Sequence, residues 1–374
     1  MTETTPEPAS SPRRLYSLDA LRGFDMFWII GGDGIASEIG KLAKSDSVTA
    51  VTMQFSEHVE WAGFHFYDMI FPLFLFIIGT AIPWSVGRRL ELGDSKRQIL
   101  KKVLVRAAIL FALGLIYNGV LRFEGWDHVR FFGVLQRQAF GYLVASILFL
   151  YTKPRTQAIV GVGILFFYWA LLYAIPVPGY PHGNMSEWGN AANYVDRLFL
   201  HGRQMYEKYG DPEGPLSDIP AISTALLGVF AGRWLKGSEK PERKALGLLI
   251  AGLVCLALGL AWAPFFPVIK KIWTSSYVLV AGGASLLLLS LFYWIIDVKG
   301  WKKWSFPLVV IGLNPITIYL LSAIVDFGGI ARFFFGGALK NVPLYEPLGM
   351  AVGVVLVEWL LLYELYRHKI VYRV

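Results

Sequence analysis

Two histidines, two glutamates and an aspartate crowd the stretch EHVEWAGFHFYDMIFP, residues 57–72, which runs straight into the apolar LFLFIIGTAI. An imidazole has an unperturbed pKa near 6.5, so it can take a proton at neutral pH, and a carboxylate beside it can fix its ring. His58 with Asp33 or Asp68 as the orienting group would be such a pair, able to deprotonate an amine or hydroxyl acceptor. The same residues would also serve as an ordinary polar loop ahead of an apolar helix. His65, about one turn into the following apolar run, reads as a packed or snorkelling side chain. His128, His182, His201 and His368 fall in loops or the tail without a local signature. No metal site is expected: His58 and His65 are seven residues apart, no H-E-x-x-H occurs, and one cysteine is too few for a sulfur-rich site. The glycines around Asp33, in IIGGDGIASEIG, match neither phosphate-loop pattern and read as points where a span bends or backbones approach closely.

The elements that must position these groups are membrane spans. Of 374 residues, 55% are hydrophobic and only 17% charged, and the mean hydropathy is +0.50, too apolar for an ordinary soluble domain. Roughly 20 apolar residues cross a bilayer as a helix. Runs of that kind recur near 18–36, 65–87, 103–121, 131–151, 157–176, 218–236, 244–263, 275–296, 305–325 and 347–366. The expectation is therefore an all-α polytopic membrane protein of about ten spans, residues 18–374 forming one transmembrane domain behind a flexible cytoplasmic tail at 1–17. No removed signal peptide is expected, since no short apolar segment with a small-residue cleavage site follows the tail. The lone Cys255 sits in an apolar run and reads as packing.

With both termini cytoplasmic, about 22 Lys and Arg lie inside and about 11 outside, leaving Arg106 and Arg137 within spans; this is the bias of the positive-inside rule. The net charge of +8 therefore speaks of topology, and no basic arm with interleaved aromatics suggests nucleic acid. The Gly-, Pro-, Asn- and aromatic-rich loop at 177–217 is longer than a connection needs, which makes it a candidate lid or binding surface. Asp25, Asp33, Asp68, Arg137, Asn314 and Glu358 fall in or at the ends of spans, where a polar group is either a functional residue or an internal bond that fixes packing. Asp33, His58, Asp68 and Arg137 share the outer side of this topology, as one polar pocket would require.

The spacing H-x-x-W-x-G-x-x-x-x-D-x-x-F-P, given by His58, Trp61, Gly63, Asp68, Phe71 and Pro72, resembles the signature of the heparan-α-glucosaminide N-acetyltransferase family, including its bacterial NagX-like members. SLDALRGFDMF, FPLFLFIIGTAI, GVLQRQAFGY, IPAISTALLGVFAGRWL, KKIWTSSYVLVAGG and GLNPITIYLL follow in the same order. The likeness runs from about Leu15 to Asp326. The resemblance implies an enzyme that moves acetyl from cytosolic acetyl-CoA to the amino group of a glucosamine-type sugar across the membrane, acetyl-CoA being a co-substrate with no metal. It implies a bacterial inner-membrane location, contact with membrane lipid and a homodimer. The family's catalytic histidine carries over to His58. Its polar residue on the preceding span, an asparagine in the lysosomal enzyme, falls on Asp33, and the lysosomal enzyme's luminal N-terminal domain is expected to be absent here. Asp68 is the further orienting candidate. Candidates for the CoA nucleotide are Arg88, Arg89, Arg106, Arg233 and Lys236, which could equally be positive-inside anchors. Arg137, Gln136 and Asn314, with the 177–217 loop, are candidates for the pantetheine end or acceptor sugar. Direct attack by the amine, with His58 as general base, and an acetyl-histidine intermediate both remain open. So do the readings of an amino-sugar transporter, for which no internal repeat is found, and of a purely structural membrane protein.

Overall fold

A computed structural model describes residues 15–200 and 204–372. Residues 1–14 of the expected tail, and His201, lie outside the described residues. Among the described residues the fold is all-α: α1 (Tyr16–Phe27), α2 (Asp33–Ala43), α3 (Asp46–Ser56), α4 (Ile70–Glu91), α5 (Lys96–Tyr117), α6 (Val134–Tyr151), α7 (Pro154–Ala174), α8 (Ala191–Phe199), α9 (Asp218–Lys236), α10 (Pro241–Trp262), α11 (Ser275–Tyr293), α12 (Phe306–Leu313), α13 (Pro315–Ile324), α14 (Phe327–Leu339) and α15 (Glu346–Arg367). Each of the ten apolar segments falls on helix. Six helical stretches are long and apolar enough to cross a bilayer: Phe66–Glu91, Val134–Tyr151, Pro154–Ala174, Pro241–Trp262, Ser275–Val298 and Glu346–Arg367. A seventh span results if the pair on either side of Asn314, bent by 63°, is taken together. The count of ten thus holds for helical segments, while six or seven meet the requirement of length and composition.

Local chemistry explains the breaks. Asn314 precedes Pro315, which clashes with a helical conformation at the residue before it, and Asn314 takes φ −130°, ψ 49°. The first segment divides at a π-helical turn, Trp28–Gly32, where Gly31 has φ 138°, a backbone region open mainly to glycine. Pro154 and Pro241 start α7 and α10 at positions whose N–H has no helical partner. Pro72 lies in the first turn of α4, where it is tolerated for the same reason. The helix runs on through it to Glu91.

α4 is the central element, buried over most of its apolar length, while α10 and α15 are mostly exposed and face outward. α4 and α9 approach along a seam of small residues. A Cβ on Gly79 would stand 2.0 Å from the Ala225 carbonyl oxygen, and one on Gly228 would stand 2.1 Å from that of Phe76. Such contacts are how helices associate where lipid offers no hydrophobic drive. α1 and α12 cross in the same way at Gly23 and Gly312.

Because those atoms are backbone, Gly228→Val is expected to lower stability by about 1–3 kcal/mol or more, the usual range for overpacking. Gly163→Val, at a position with open space around it, is expected to change little. Unfolding midpoints of the two detergent-purified variants provide the comparison.

Candidate active site

Asp68 lies in the 3-10 turn Phe66–Met69 that opens α4, and it is 1% exposed. A buried carboxylate must be paired or hydrogen-bonded, and this one is both. Its Oδ2 accepts from the backbone N–H groups of His65 (2.9 Å) and Val59 (3.3 Å). Its Oδ1 lies 2.9 Å from His58 Nδ1. The Tyr277 hydroxyl of α11 donates to the Asp68 carbonyl at 2.7 Å, pinning the turn from below. His65 therefore serves the site through its backbone, its ring being turned to the Glu57 carbonyl at 2.9 Å.

An acceptor at Nδ1 holds the ring proton there and leaves Nε2 as the basic nitrogen. The His58 side chain is 46% exposed, so a substrate can reach it. Tyr67 stacks on the imidazole, centroids 4.6 Å apart and planes 19° apart, and donates its hydroxyl to Asp33 Oδ2 at 3.0 Å. Asp33 thus belongs to the site through Tyr67, with no direct bond to His58.

The loop between α10 and α11 supplies a group that sequence reasoning passed over. Gly63 N–H donates to the Val268 carbonyl at 2.9 Å, and Ala62 pairs with Ile269 in an isolated antiparallel bridge. Gly63 itself has φ 135°, which favours glycine. This docking brings Lys270 Nζ to 2.9 Å from His58 Nδ1 and 3.0 Å from Nε2, with Asp68 Oδ1 at 3.5 Å. Partial burial holds the His58 pKa below its usual value; the Asp68 hydrogen bond pulls it up and Lys270 pushes it further down. Burial likewise pulls Lys270 down to about 8, against the attraction of Asp68. Lys270 stands in the KKIW motif, but nothing in that loop's local pattern points toward residue 58.

The 177–217 loop packs against Trp61, another residue of the motif. Trp61 Nε1–H donates to the Met185 carbonyl at 2.7 Å, and Tyr209 packs edge-on against Trp61 with centroids 5.7 Å apart. The Tyr209 hydroxyl and Glu207 hold Lys271 at 2.6 and 3.0 Å. Arg130 anchors the loop's far end through a two-pronged bond to Asp211, both contacts 2.7 Å, and a further bond to Glu213.

The other expected site residues separate from His58. Arg137 is fully buried: it bonds Asp218 (2.6 Å), the Pro212 carbonyl (2.8 Å) and Ser217, with its guanidinium 4.5 Å from the Trp273 ring centroid. Of the four groups expected to share one polar pocket, the structure unites Asp33, His58 and Asp68 and places Arg137 in a packing lock. Gln136 is buried against Gly114 and Gly133. Asn314 instead clamps the tail: its side chain donates to the Ile370 carbonyl at 3.0 Å and accepts from Tyr372 N–H at 2.9 Å.

That tail helps to wall a cavity of about 880 Å³, lined by Arg22, Arg88, Arg106 and Lys236 and by apolar groups including Phe74 and Ile78. Three of the five cations proposed for a nucleotide therefore meet at one cavity, which Asp19 and Glu91 also line, Glu91 pairing with Lys236 at 2.6 Å. Arg89 instead pairs with Asp94 at 3.4 Å, and Arg233 bonds Gln157 at 3.2 Å and lies over the Phe149 ring. Phe74 follows Asp68 by six residues, roughly 9 Å of helical rise, so one helix joins the cavity to the imidazole.

An accessible imidazole hydrogen-bonded to a buried carboxylate thus stands at one end of a multi-pass helical bundle that also holds a cavity lined by several cations. The chain is similar to the heparan-alpha-glucosaminide N-acetyltransferase of Mus musculus, 29% identical over 374 aligned positions that cover 85% of this chain and 56% of the relative. It is equally similar to the protein of that name from Homo sapiens, 29% identical over 423 positions covering 97% of this chain and 60% of the relative. These similarities support the family resemblance carried by the motifs. The chain spans between half and two thirds of the length of these curated relatives. No protein-family model matches the sequence.

Because the Asp68 carboxylate raises the His58 pKa, Asp68→Asn is expected to move its titration to lower pH. NMR of the protein labelled at histidine, followed across pH 4–9, reads the shift directly.

Proposed function

We propose that this protein is a transmembrane acetyltransferase that moves acetyl from cytosolic acetyl-CoA to the amino group of a glucosamine-type sugar on the periplasmic side of a bacterial inner membrane. The observation that carries the proposal is the His58–Asp68 pair, an accessible base whose proton position is fixed by a buried carboxylate, standing on the motif shared with acetyltransferases. In the direct route the sugar amine adds to the thioester carbonyl carbon while His58 Nε2 takes its proton. The intermediate then collapses with cleavage of the C–S bond, and the imidazolium returns the proton to the departing thiolate. Acyl transfer of this kind gains typically 10²–10⁴-fold from a positioned base.

The basic cavity suits the other substrate. Arg88 and Arg106 offer charge for CoA phosphates, with Lys236 beside them paired to Glu91, and the Phe74 and Ile78 wall offers apolar surface for the pantetheine arm. The names of the relatives support an amino-sugar acceptor. Asp33, held by Tyr67 beside the base, is an anion able to attract the ammonium form of that acceptor. A homodimer in contact with membrane lipid completes the proposal.

One observation favours a second reading. The helix broken at Asn314 resembles the discontinuous helices of secondary transporters, so transport of an amino sugar is the alternative. Labelled glucosamine accumulating unchanged in vesicles without acetyl-CoA would select it.

For the acetyltransferase, purified protein offered acetyl-CoA and a panel of amino sugars is expected to yield N-acetylated products by mass spectrometry. His58→Ala is expected to lower turnover at least about 10²-fold with the fold intact, and an unimpaired His58→Ala variant would refute the role of the base. Arg88→Gln combined with Arg106→Gln is expected to raise the KM for acetyl-CoA with a smaller change in kcat, measured by initial rates of thiol release.

A further inference from the structure

We infer that Lys270 is a further catalytic group of this site, its ammonium holding the carbonyl oxygen of the thioester as negative charge develops there. The inference rests on the acetyl-transfer reading above and supplies what that reading lacks. When the amine adds to the carbonyl carbon, the C=O π pair moves onto oxygen. His58 accounts for the proton on nitrogen but offers nothing to the oxyanion. Preorganised donors at such an oxygen are commonly the largest single contribution to acyl transfer.

The position of Lys270 fits this task better than a structural one. Nζ is almost equidistant from the two ring nitrogens, 2.9 and 3.0 Å. It must therefore lie over the ring face, since an in-plane position would collide with the carbon between them. The in-plane lone pair of Nε2 remains open to the amine proton, and the cation stands directly beside it. Asp68 does not require Lys270 as a partner: His58 and the backbone N–H groups of Val59 and His65 already reach its oxygens. The Lys270–Asp68 separation of 3.5 Å is long for a charge-assisted bond, which is usually 2.7–2.9 Å.

Other nearby cations are committed elsewhere. Lys271 is held by Glu207 and Tyr209, and Arg137 by Asp218. The Lys270 side chain is 19% exposed, so its charge acts in a partly dehydrated setting, where it is worth more than in water. The loop that carries it is fixed at both ends, by the Gly63–Val268 bond and by Ile269 N–H donating to Thr274 Oγ1 at 3.0 Å, so the donor is in place before the reaction begins.

The charged and titratable groups facing Lys270 are His58, Asp68, Glu213 and Lys271. Their balance leaves its pKa near 8. The required form is the cation, so the contribution is present below that pH and is lost as pH rises through it. His58 must be neutral, which gives the opposite limb on the acid side. A bell-shaped kcat profile with an alkaline fall near pH 8 follows.

The test is the kcat–pH profile, with saturating acetyl-CoA and amino sugar, of the wild type, Lys270→Met and Lys270→Arg, each checked for fold by its unfolding midpoint. Lys270→Met is expected to lose about 10²–10³-fold in kcat, the range for removing one oxyanion donor, with the KM for acetyl-CoA little changed. Lys270→Arg keeps the charge and is expected to retain measurable turnover while losing the alkaline fall near pH 8. A Lys270→Met enzyme within about threefold of wild type, or an alkaline fall that persists near pH 8 in Lys270→Arg, overturns the inference and leaves the acetyltransferase reading standing. A wild type that acetylates no amino sugar overturns both. If Lys270→Met does not fold, the Lys270→Arg profile alone decides.

Discussion

The carboxylate of Asp68 is the constraint around which one end of this protein is arranged. It is buried at the mouth of a long apolar helix, where an unpaired charge would cost several kcal/mol. The groups that answer it all come from the 57–65 loop: the backbone N–H groups of Val59 and His65 and the imidazole of His58. The same residue's carbonyl receives the Tyr277 hydroxyl of α11. Satisfying one anion therefore folds the 57–65 loop onto the start of α4, and the imidazole of His58 is positioned as a by-product of that requirement.

The helical frame makes such a site affordable by being rigid where it matters. α4 carries Asp68 at one end and Arg88 at the cavity end, and the glycine seam with α9 lets it pack backbone to backbone. Arg137, sealed between Asp218 and the Trp273 ring, fastens α6 to the start of α9 and to the loop that bears Lys270. A polar residue inside a membrane protein is a functional hypothesis by default. Here that default separates into two kinds. Some charges, such as Arg137, hold elements together, and others, such as His58, face a space a substrate can enter.

Much of the fold was legible in the chain. Ten apolar segments fall on helix because hydropathy and length are local properties; the break before Pro315, which the single span at 305–325 did not anticipate, follows from the clash of proline with the residue preceding it. The helices α3, α8 and α14, which no span reading anticipates, are short and lie between the apolar runs. The motif singled out His58 and Asp68 because ten residues joined by one turn and one loop fold back on themselves. It also distinguished His58 from His65, whose ring turns away to the Glu57 carbonyl.

What the sequence by itself determined, then, is the class of architecture and the nearness of His58 to Asp68, since both depend on residues close along the chain. Only the tertiary structure decided the company that pair keeps. Lys270 is 212 positions from His58, Asp33 reaches the site only through the Tyr67 hydroxyl, Asn314 clamps the tail, and Arg88 and Arg106 meet across a cavity while Arg233 does not. No periodicity encodes such meetings. They follow from how helices cross and where loops dock, and these are set by packing and by the pairing of buried charges over the whole chain.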